Sequence, residues 1–227
     1  MRIRLACLDM AGTTITDDGV VERSFVEAMV GEGLIGEGEM AGALDIVRRT
    51  MGHSKIDVFR AILGDGPKAT AANAAFEAAY ERAVQRGEVE AAPGAEQVLR
   101  ALRDAGIRVC LITGFAPTTR EAIIDALAWR DLADLALSPA DVGRGRPWPD
   151  LVEHAAKHFG VDLEEVAVCG DTVSDLLCGS RAGAAVVAGV VADPEQAAEM
   201  AATPHTHLLT SVAELPRILL GGDGEDR

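Results

Sequence analysis

A short apolar run, Leu5-Ala6-Cys7-Leu8, stops at Asp9, and Gly12-Thr13-Thr14 follow close behind. An apolar run of this length bounded by turn residues reads as a strand buried on both faces. Asp9 then sits where the carboxyl end of the strand meets solvent. In open α/β sheets that edge is where ligands bind. A carboxylate at such a point can attack an electrophile, hold a metal ion, or do both. A turn aspartate leaving a strand is the competing reading, and these residues alone favour chemistry over it only modestly.

Further segments narrow the choice. Ile107-Arg108-Val109-Cys110-Leu111-Ile112 is a second apolar strand, ending in Thr113-Gly114. Val166-Ala167-Val168-Cys169 is a third, followed by Gly170-Asp171 and then Asp175. Gly143-Arg144-Gly145-Arg146-Pro147 forms a basic loop ahead of a helical pattern. Ala185 to Val190 adds a strand, and Leu135–Leu137 and His207–Leu209 add short ones. Pro93-Gly94 opens a helix that Gly106 closes, Pro147 opens one that Gly160 ends, and Pro194 opens another. Strands alternating with helices predict a parallel sheet. From about Thr16 to Ala92 the alternation lapses. Glu22–Val30, Glu39–Arg49, Lys55–Leu63 and Ala69–Arg86 read as helices, with no convincing strand between them. The expected organisation is an α/β core from residues 1–15 and 93–227, with a helical unit, 16–92, inserted after the first strand.

The chain has 227 residues, enough for a core plus a smaller insertion. Its formal net charge of -15 disfavours nucleic acid and anionic membrane as partners. An anionic substrate would need a local basic pocket within that repelling field. No apolar run is long enough to span a bilayer, and Met1 leads almost directly into the first strand, so a cytoplasmic address is expected. Cys7, Cys110, Cys169 and Cys178 fit no zinc spacing and read as buried thiols. The acidic, glycine-rich stretch 221–227 reads as a frayed tail. His154, His158, His205 and His207 read as surface or loop residues.

Together the strand ends supply a nucleophilic carboxylate, a hydroxyl donor, a cation and two more carboxylates, a set suited to phosphoryl transfer. In order and spacing the chain resembles the haloacid dehalogenase superfamily over most of its length. Within it the chain is most similar to phosphonatase (phosphonoacetaldehyde hydrolase) and its relatives. Asp9-Met10-Ala11-Gly12-Thr13-Thr14, Met51-Gly52-His53-Ser54-Lys55-Ile56-Asp57, Gly145-Arg146-Pro147 and Gly170-Asp171-Thr172-Val173-Ser174-Asp175 carry the likeness. It implies a Rossmann-like parallel-sheet core of the haloacid dehalogenase type with an inserted α-helical cap domain. It also implies a small-molecule phosphonate or phosphate substrate and a homodimer formed through the cap.

The resemblance implies the following roles. Asp9 is the nucleophile and, with Asp171 and the Ala11 carbonyl, holds Mg2+. Thr113 and Arg146 bind the phosphoryl group, with Arg144 a competing but more ordinary loop charge. Asp175 orients the site, directly or through Arg146. Gly12, Thr13, Met51, Gly52, Gly114 and Phe115 surround the substrate. Thr172 and Ser174 are candidates to cap the following helix.

Ala11 is the diagnostic position. Most phosphomonoesterases of the superfamily carry there an aspartate that protonates the departing alcohol, and alanine cannot. Loss of a general acid typically costs ~10²–10⁴ in rate. Lys55 offers a different kind of help. Breaking a carbon–phosphorus bond leaves an electron pair on carbon, and an imine between lysine and a neighbouring aldehyde provides the sink. On composition alone Lys55 would be an ordinary helix-surface lysine. Three positions depart from phosphonatase: Val58 stands where a histidine usually follows Lys-Ile-Asp, Phe115 stands for a tyrosine, and Val20 and Val21 stand around an expected cysteine. His53 reads as lying on a different helix face from Lys55. Two other readings compete with C–P hydrolysis: a phosphatase or phosphotransferase using Asp9 only, and a non-enzymatic anion-binding protein.

Overall fold

A computed structural model describes residues 2–31, 33–36, 38–191 and 194–221, without side-chain placement at 194 and 195. The first strand, β1 (Leu5–Asp9), leads through a tight turn to the two-residue β2 (Ile15–Thr16). Four helices follow: α1 (Val20–Gly31), α2 (Met40–Arg49), α3 (Lys55–Leu63) and α4 (Pro67–Gln85). The two-residue β3 (Glu90–Ala91) closes this insertion. The alternation then resumes with α5 (Ala95–Asp104), β4 (Arg108–Ile112), α6 (Pro117–Ala126), β5 (Leu135–Leu137), α7 (Pro139–Val142) and α8 (Asp150–Phe159). It continues through β6 (Val166–Gly170), α9 (Val173–Ala182), β7 (Val186–Val190), α10 (Pro194–Ala201), β8 (His207–Leu209) and α11 (Leu215–Leu220).

Six strands form one sheet in the order β5-β4-β1-β6-β7-β8, and every neighbouring pair is parallel. Strand β1 is central because its residues can be buried on both faces. Leu5 and Cys7 pack with Val166, Val168 and the α8 residues Leu151, Val152 and Ala155. Ala6 and Leu8 face the other way, toward Val109, Leu111 and the α5 residues Val98, Leu99 and Leu102. Fully burying a Val or Leu side chain contributes roughly 1.5–3 kcal/mol, so continuous apolar runs pay for helices on both faces. From β1 the chain builds outward through β4 and β5. It then returns to the other side of β1 with β6. The resulting crevice, between the carboxyl ends of β1 and β6, is a topological switch point.

The insertion has its own aromatic core. Phe25 stacks at a tilt against Phe59 and Phe76, with ring centroids 4.6 and 4.5 Å apart. Tyr80 meets Phe115, from the loop after β4, at 4.4 Å. Such pairs add about 0.5–1.5 kcal/mol each beyond area burial. The core loop carrying Phe115 is thus built into the insertion's packing.

Several expectations need correction. The insertion is not strand-free, since Thr16 and Glu90–Ala91 join Ile15 in an antiparallel ribbon where the chain leaves and re-enters the core. Two-residue strands carry no readable periodicity. Pro147 does not open α8; it follows a cis Arg146–Pro147 peptide in a turn closed by Trp148 N–H donating to the Gly145 carbonyl at 3.1 Å, and the helix starts at Asp150. Helix α6 was not anticipated, because its buried face includes Thr119 and Arg120 and so blurs the apolar stripe. His53 lies in the turn before α3, not on a helix face. The four cysteines are free and buried, and the four distal histidines are exposed. The expected tail beyond Gly221 lies outside the described residues.

Candidate active site

The turn after β1 is tied down at one carbonyl. Thr13, Thr14 and Ile15 all donate their N–H groups to Met10 O, at 3.2, 2.9 and 2.8 Å. The Thr14 hydroxyl donates to Asp9 O at 2.8 Å. This locks Asp9 at the mouth of the β1/β6 crevice, where it is 3 % exposed. Gly12 adopts φ +91°, and a Cβ there would collide with the Asp171 carboxylate. Glycine is what lets the turn come so close to the end of β6. The Thr13 hydroxyl donates to Asp171 Oδ1 at 3.0 Å.

Across the crevice, Thr172 caps α9 in a reciprocal capping box with Asp175. Asp175 Oδ2 accepts from the Thr172 N–H at 3.0 Å and from its hydroxyl at 2.5 Å. Its other oxygen accepts from Arg146 Nη1, which also donates to Asp9 Oδ1. Ser174, the other capping candidate, instead donates its hydroxyl to the Met51 carbonyl of the insertion at 3.2 Å. Arg146 is buried, and among the described residues its buried Nε has no hydrogen-bond partner. Arg144 pairs with Asp150 at 2.9 Å and lies over the Trp148 ring, away from the crevice. The Thr113 hydroxyl oxygen accepts the Phe115 N–H at 3.3 Å, which leaves its proton for another acceptor.

Carboxylate oxygens of Asp9, Asp171 and Asp175 lie within 4.8 Å of one another. Burial first, then repulsion from Asp175, pushes the Asp9 carboxyl up to about 6, although Arg146 pulls the other way. Burial, followed by repulsion from Asp9 and Asp175, also holds Asp171 well above the usual carboxylate range. Burial disfavours the Arg146 charge, but Asp175 and Asp9 outweigh it and strengthen the hold on its proton. Three clustered carboxylates against one guanidinium leave a negative excess. The donors are hard oxygens. The set fits a small divalent cation such as Mg2+.

The insertion closes this crevice. The Lys55 N–H donates to the Gly114 carbonyl at 3.1 Å, and a Cβ on Gly114 would collide with the His53 carbonyl. Lys55 is the first residue of α3, is 6 % exposed, and points its Nζ at the Phe115 ring, 5.2 Å from the centroid. Among the described residues its ammonium has no ion pair and no hydrogen bond. Burial, then the nearby Arg146 charge, lowers its proton affinity, and the first turn of a helix also disfavours a cation.

A cavity of about 210 Å³ joins the two halves. It is lined by Asp9, Ala11, Gly12, Thr113, Arg146 and Asp171 from the core side, and by Met51, Gly52 and Lys55 from the insertion, with Phe115 between them. Thr13, Gly114 and Asp175 stand behind this lining and fix it. Sequence reasoning missed Asp17, which lines the cavity and accepts the Tyr80 hydroxyl proton at 2.9 Å. In Thr16-Asp17-Asp18-Gly19 nothing distinguishes it from a turn residue. Val58, at the departure from phosphonatase, is buried in the insertion's apolar core.

A parallel sheet with a carboxylate cluster at its switch point, facing a helical insertion, defines a phosphoryl-transfer type of hydrolase. The haloacid dehalogenase-like hydrolase family profile matches residues 3–183, and the chain belongs to that family. A bifunctional riboflavin kinase/FMN phosphatase of Arabidopsis thaliana is 27% identical over 224 residues, covering 94% of this chain and 52% of that protein. The chain therefore spans about half the length of this relative. Phosphonoacetaldehyde hydrolase of Bacillus cereus is 28% identical over 214 residues, covering 86% of this chain and 78% of that protein. The crystal structure of a hydrolase from Pseudomonas syringae superposes with a TM-score of 0.80 at 23% identity, covering 96% of this chain and 98% of that one. No described helix is long and apolar enough to cross a membrane.

Proposed function

We propose that this hydrolase cleaves the carbon–phosphorus bond of phosphonoacetaldehyde or a close 2-oxoethylphosphonate. The observation that carries the reading is Lys55: a buried lysine with no ion pair or hydrogen bond to its ammonium among the described residues, lining the same cavity as Asp9. A buried unpaired ammonium destabilises a fold, so its retention calls for a chemical use. The likeness to the Bacillus cereus phosphonoacetaldehyde hydrolase supports the same reading.

Lys55, as the neutral amine, condenses with the aldehyde to give a cationic imine. Asp9 attacks phosphorus in line, and the C–P electron pair passes into the imine to give an enamine. Asp9 then carries an acyl phosphate that water hydrolyses, while the enamine takes a proton and hydrolyses to acetaldehyde and free Lys55. Arg146 grips the phosphonate oxygens, and Thr113 donates to them. Mg2+ held by Asp9, Asp171 and the Ala11 carbonyl would supply neutralisation between carboxylate and phosphonate oxygens. Asp175 keeps Arg146 in place.

Borohydride reduction during turnover of phosphonoacetaldehyde tests this directly. The expected result is a two-carbon adduct on Lys55. Turnover that proceeds with no adduct overturns the imine.

A second reading is a phosphatase for a small phosphorylated metabolite, using Asp9 alone. The FMN phosphatase portion of the Arabidopsis relative's name favours it. Ala11, which cannot protonate an alkoxide, ranks it second. Rapid hydrolysis of a phosphate monoester, unchanged in Lys55→Arg, would reverse the ranking.

A further inference from the structure

A second cavity, of about 260 Å³, shares Lys55 and Phe115 with the first and is not lined by Asp9. Lys55 and Phe115 belong to both cavities, so the lysine stands in the wall between them. The second cavity is also lined by Asn73 and Glu77 of α4 and by Asp57 and Arg60 of α3. Glu77 is 7 % exposed. Its Oε1 accepts the Ala116 N–H, just ahead of α6, at 3.0 Å, which fixes the side chain. Among the described residues its buried Oε2 makes no hydrogen bond, nor does Asn73 Oδ1, although the Thr119 hydroxyl, which donates to Glu81, favours the charged carboxylate. Buried carboxylate oxygens are seldom left unsatisfied, and exceptions call for a reason.

We propose that Glu77 is the proton acceptor and donor for Lys55, acting through water in this second cavity. This rests on the imine reading above. Lys55 must lose one proton to attack the aldehyde, and the Glu77 carboxylate receives it. The neutral amine adds to the carbonyl, giving a carbinolamine. Glu77 returns the proton to the carbinolamine hydroxyl, which leaves as water, and the nitrogen lone pair forms the C=N+ bond. One proton is taken and one returned. The sum is ammonium plus aldehyde giving iminium plus water. The surroundings suit the exchange. Burial raises the proton affinity of Glu77 while burial and Arg146 lower that of Lys55, so the two approach each other. The charged groups around Glu77 are Lys55, Asp57 and Arg60 from α3 and Glu81 from α4; those around Lys55 are Arg146, Asp9, Asp17 and Glu77.

The test is the pH dependence of adduct formation on Lys55, with phosphonoacetaldehyde and borohydride, in wild type and Glu77→Gln. Glutamine keeps an oxygen for the Ala116 N–H but cannot cycle a proton. A mere charge effect has the opposite sign to a proton-transfer role. Removing a carboxylate beside Lys55 would favour the neutral amine and speed trapping near neutrality. The proposal predicts trapping slowed about 10²-fold near neutrality, with recovery toward wild type at high pH, where hydroxide deprotonates Lys55. Glu77→Asp, which keeps the carboxyl, should restore part of the rate. Unchanged or faster trapping in Glu77→Gln overturns the role of Glu77. Absence of any adduct in wild type overturns the imine reading instead, so the two failures are distinct.

Discussion

The two walls of the candidate active site are built on opposite principles. On the core side every charged group is committed. Asp9 and Asp175 share one guanidinium nitrogen, Asp175 doubles as a helix cap, and Asp171 takes the Thr13 hydroxyl proton. On the insertion side the charges that matter stand apart. Lys55 faces an aromatic ring, and among the described residues Glu77 Oε2 makes no hydrogen bond. A wall of interlocked charges is preorganised for one task, the handling of a phosphoryl group. A wall of isolated charges in an apolar frame costs stability, and that cost is what keeps its proton affinities adjustable.

Substitutions on each side should separate the two. Asp9→Asn removes the proposed nucleophile, and phosphate release from any substrate should fall by at least about 10⁴-fold. Retention of a tenth of the activity would mean that another group attacks phosphorus. Lys55→Arg should lower C–P cleavage by about 10³-fold or more, because guanidinium cannot form the imine, while any phosphate-ester hydrolysis stays within about threefold. Equal losses on both substrates would erase the distinction between the walls. Ala11→Asp supplies the missing general acid, and phosphate-ester turnover should rise about 10²-fold with no gain on the phosphonate.

Two smaller effects concern stability. Mg2+ at a hundredfold excess over its Kd should stabilise the fold by about 2.7 kcal/mol, measured by urea titration against a chelator-treated sample. The Asp9 carboxyl is raised to about 6, so the folded state binds its proton more tightly than the unfolded chain does. Metal-free stability from this group therefore falls as pH rises from about 4 toward that value, and the Mg2+ gain should grow across the same window. A gain independent of pH would place the cation elsewhere. Lys55→Met should stabilise by about 1–3 kcal/mol near neutrality, since it removes a buried unpaired charge. The lysine binds its proton less tightly folded than unfolded, so wild-type stability rises with pH toward the ordinary lysine value and the variant lacks that rise. A destabilised variant would mean that the ammonium has a partner holding it in place.

The core wall was legible in the sequence because strand ends are. An apolar run followed by Asp9, Thr113 or Gly170-Asp171 fixes both the strand and the edge on which its last side chain sits. The capping role of Thr172 followed from the same local logic. The insertion wall was harder to read. Its helices were recognisable by period, yet which residue of α4 turns toward Lys55 depends on packing that no local pattern encodes. Glu77 sits in an alanine-rich stretch, and Asp17 sits in a turn motif. The ribbon of β2 and β3 escaped notice because its pairing joins residues far apart in the chain, and α6 because polar groups fill part of its buried face. Lys55 was located by its motif, while its burial emerged only from the close seating of the turn before α3 on Gly114.

Arg146 uses a single corner of its fork for both aspartates, and among the described residues its buried Nε has no acceptor. One guanidinium nitrogen therefore joins the end of β1 to the start of α9, and loss of Arg146 would release both aspartates together. The orientations of the two carboxylates are thereby a single variable, set by where one guanidinium sits.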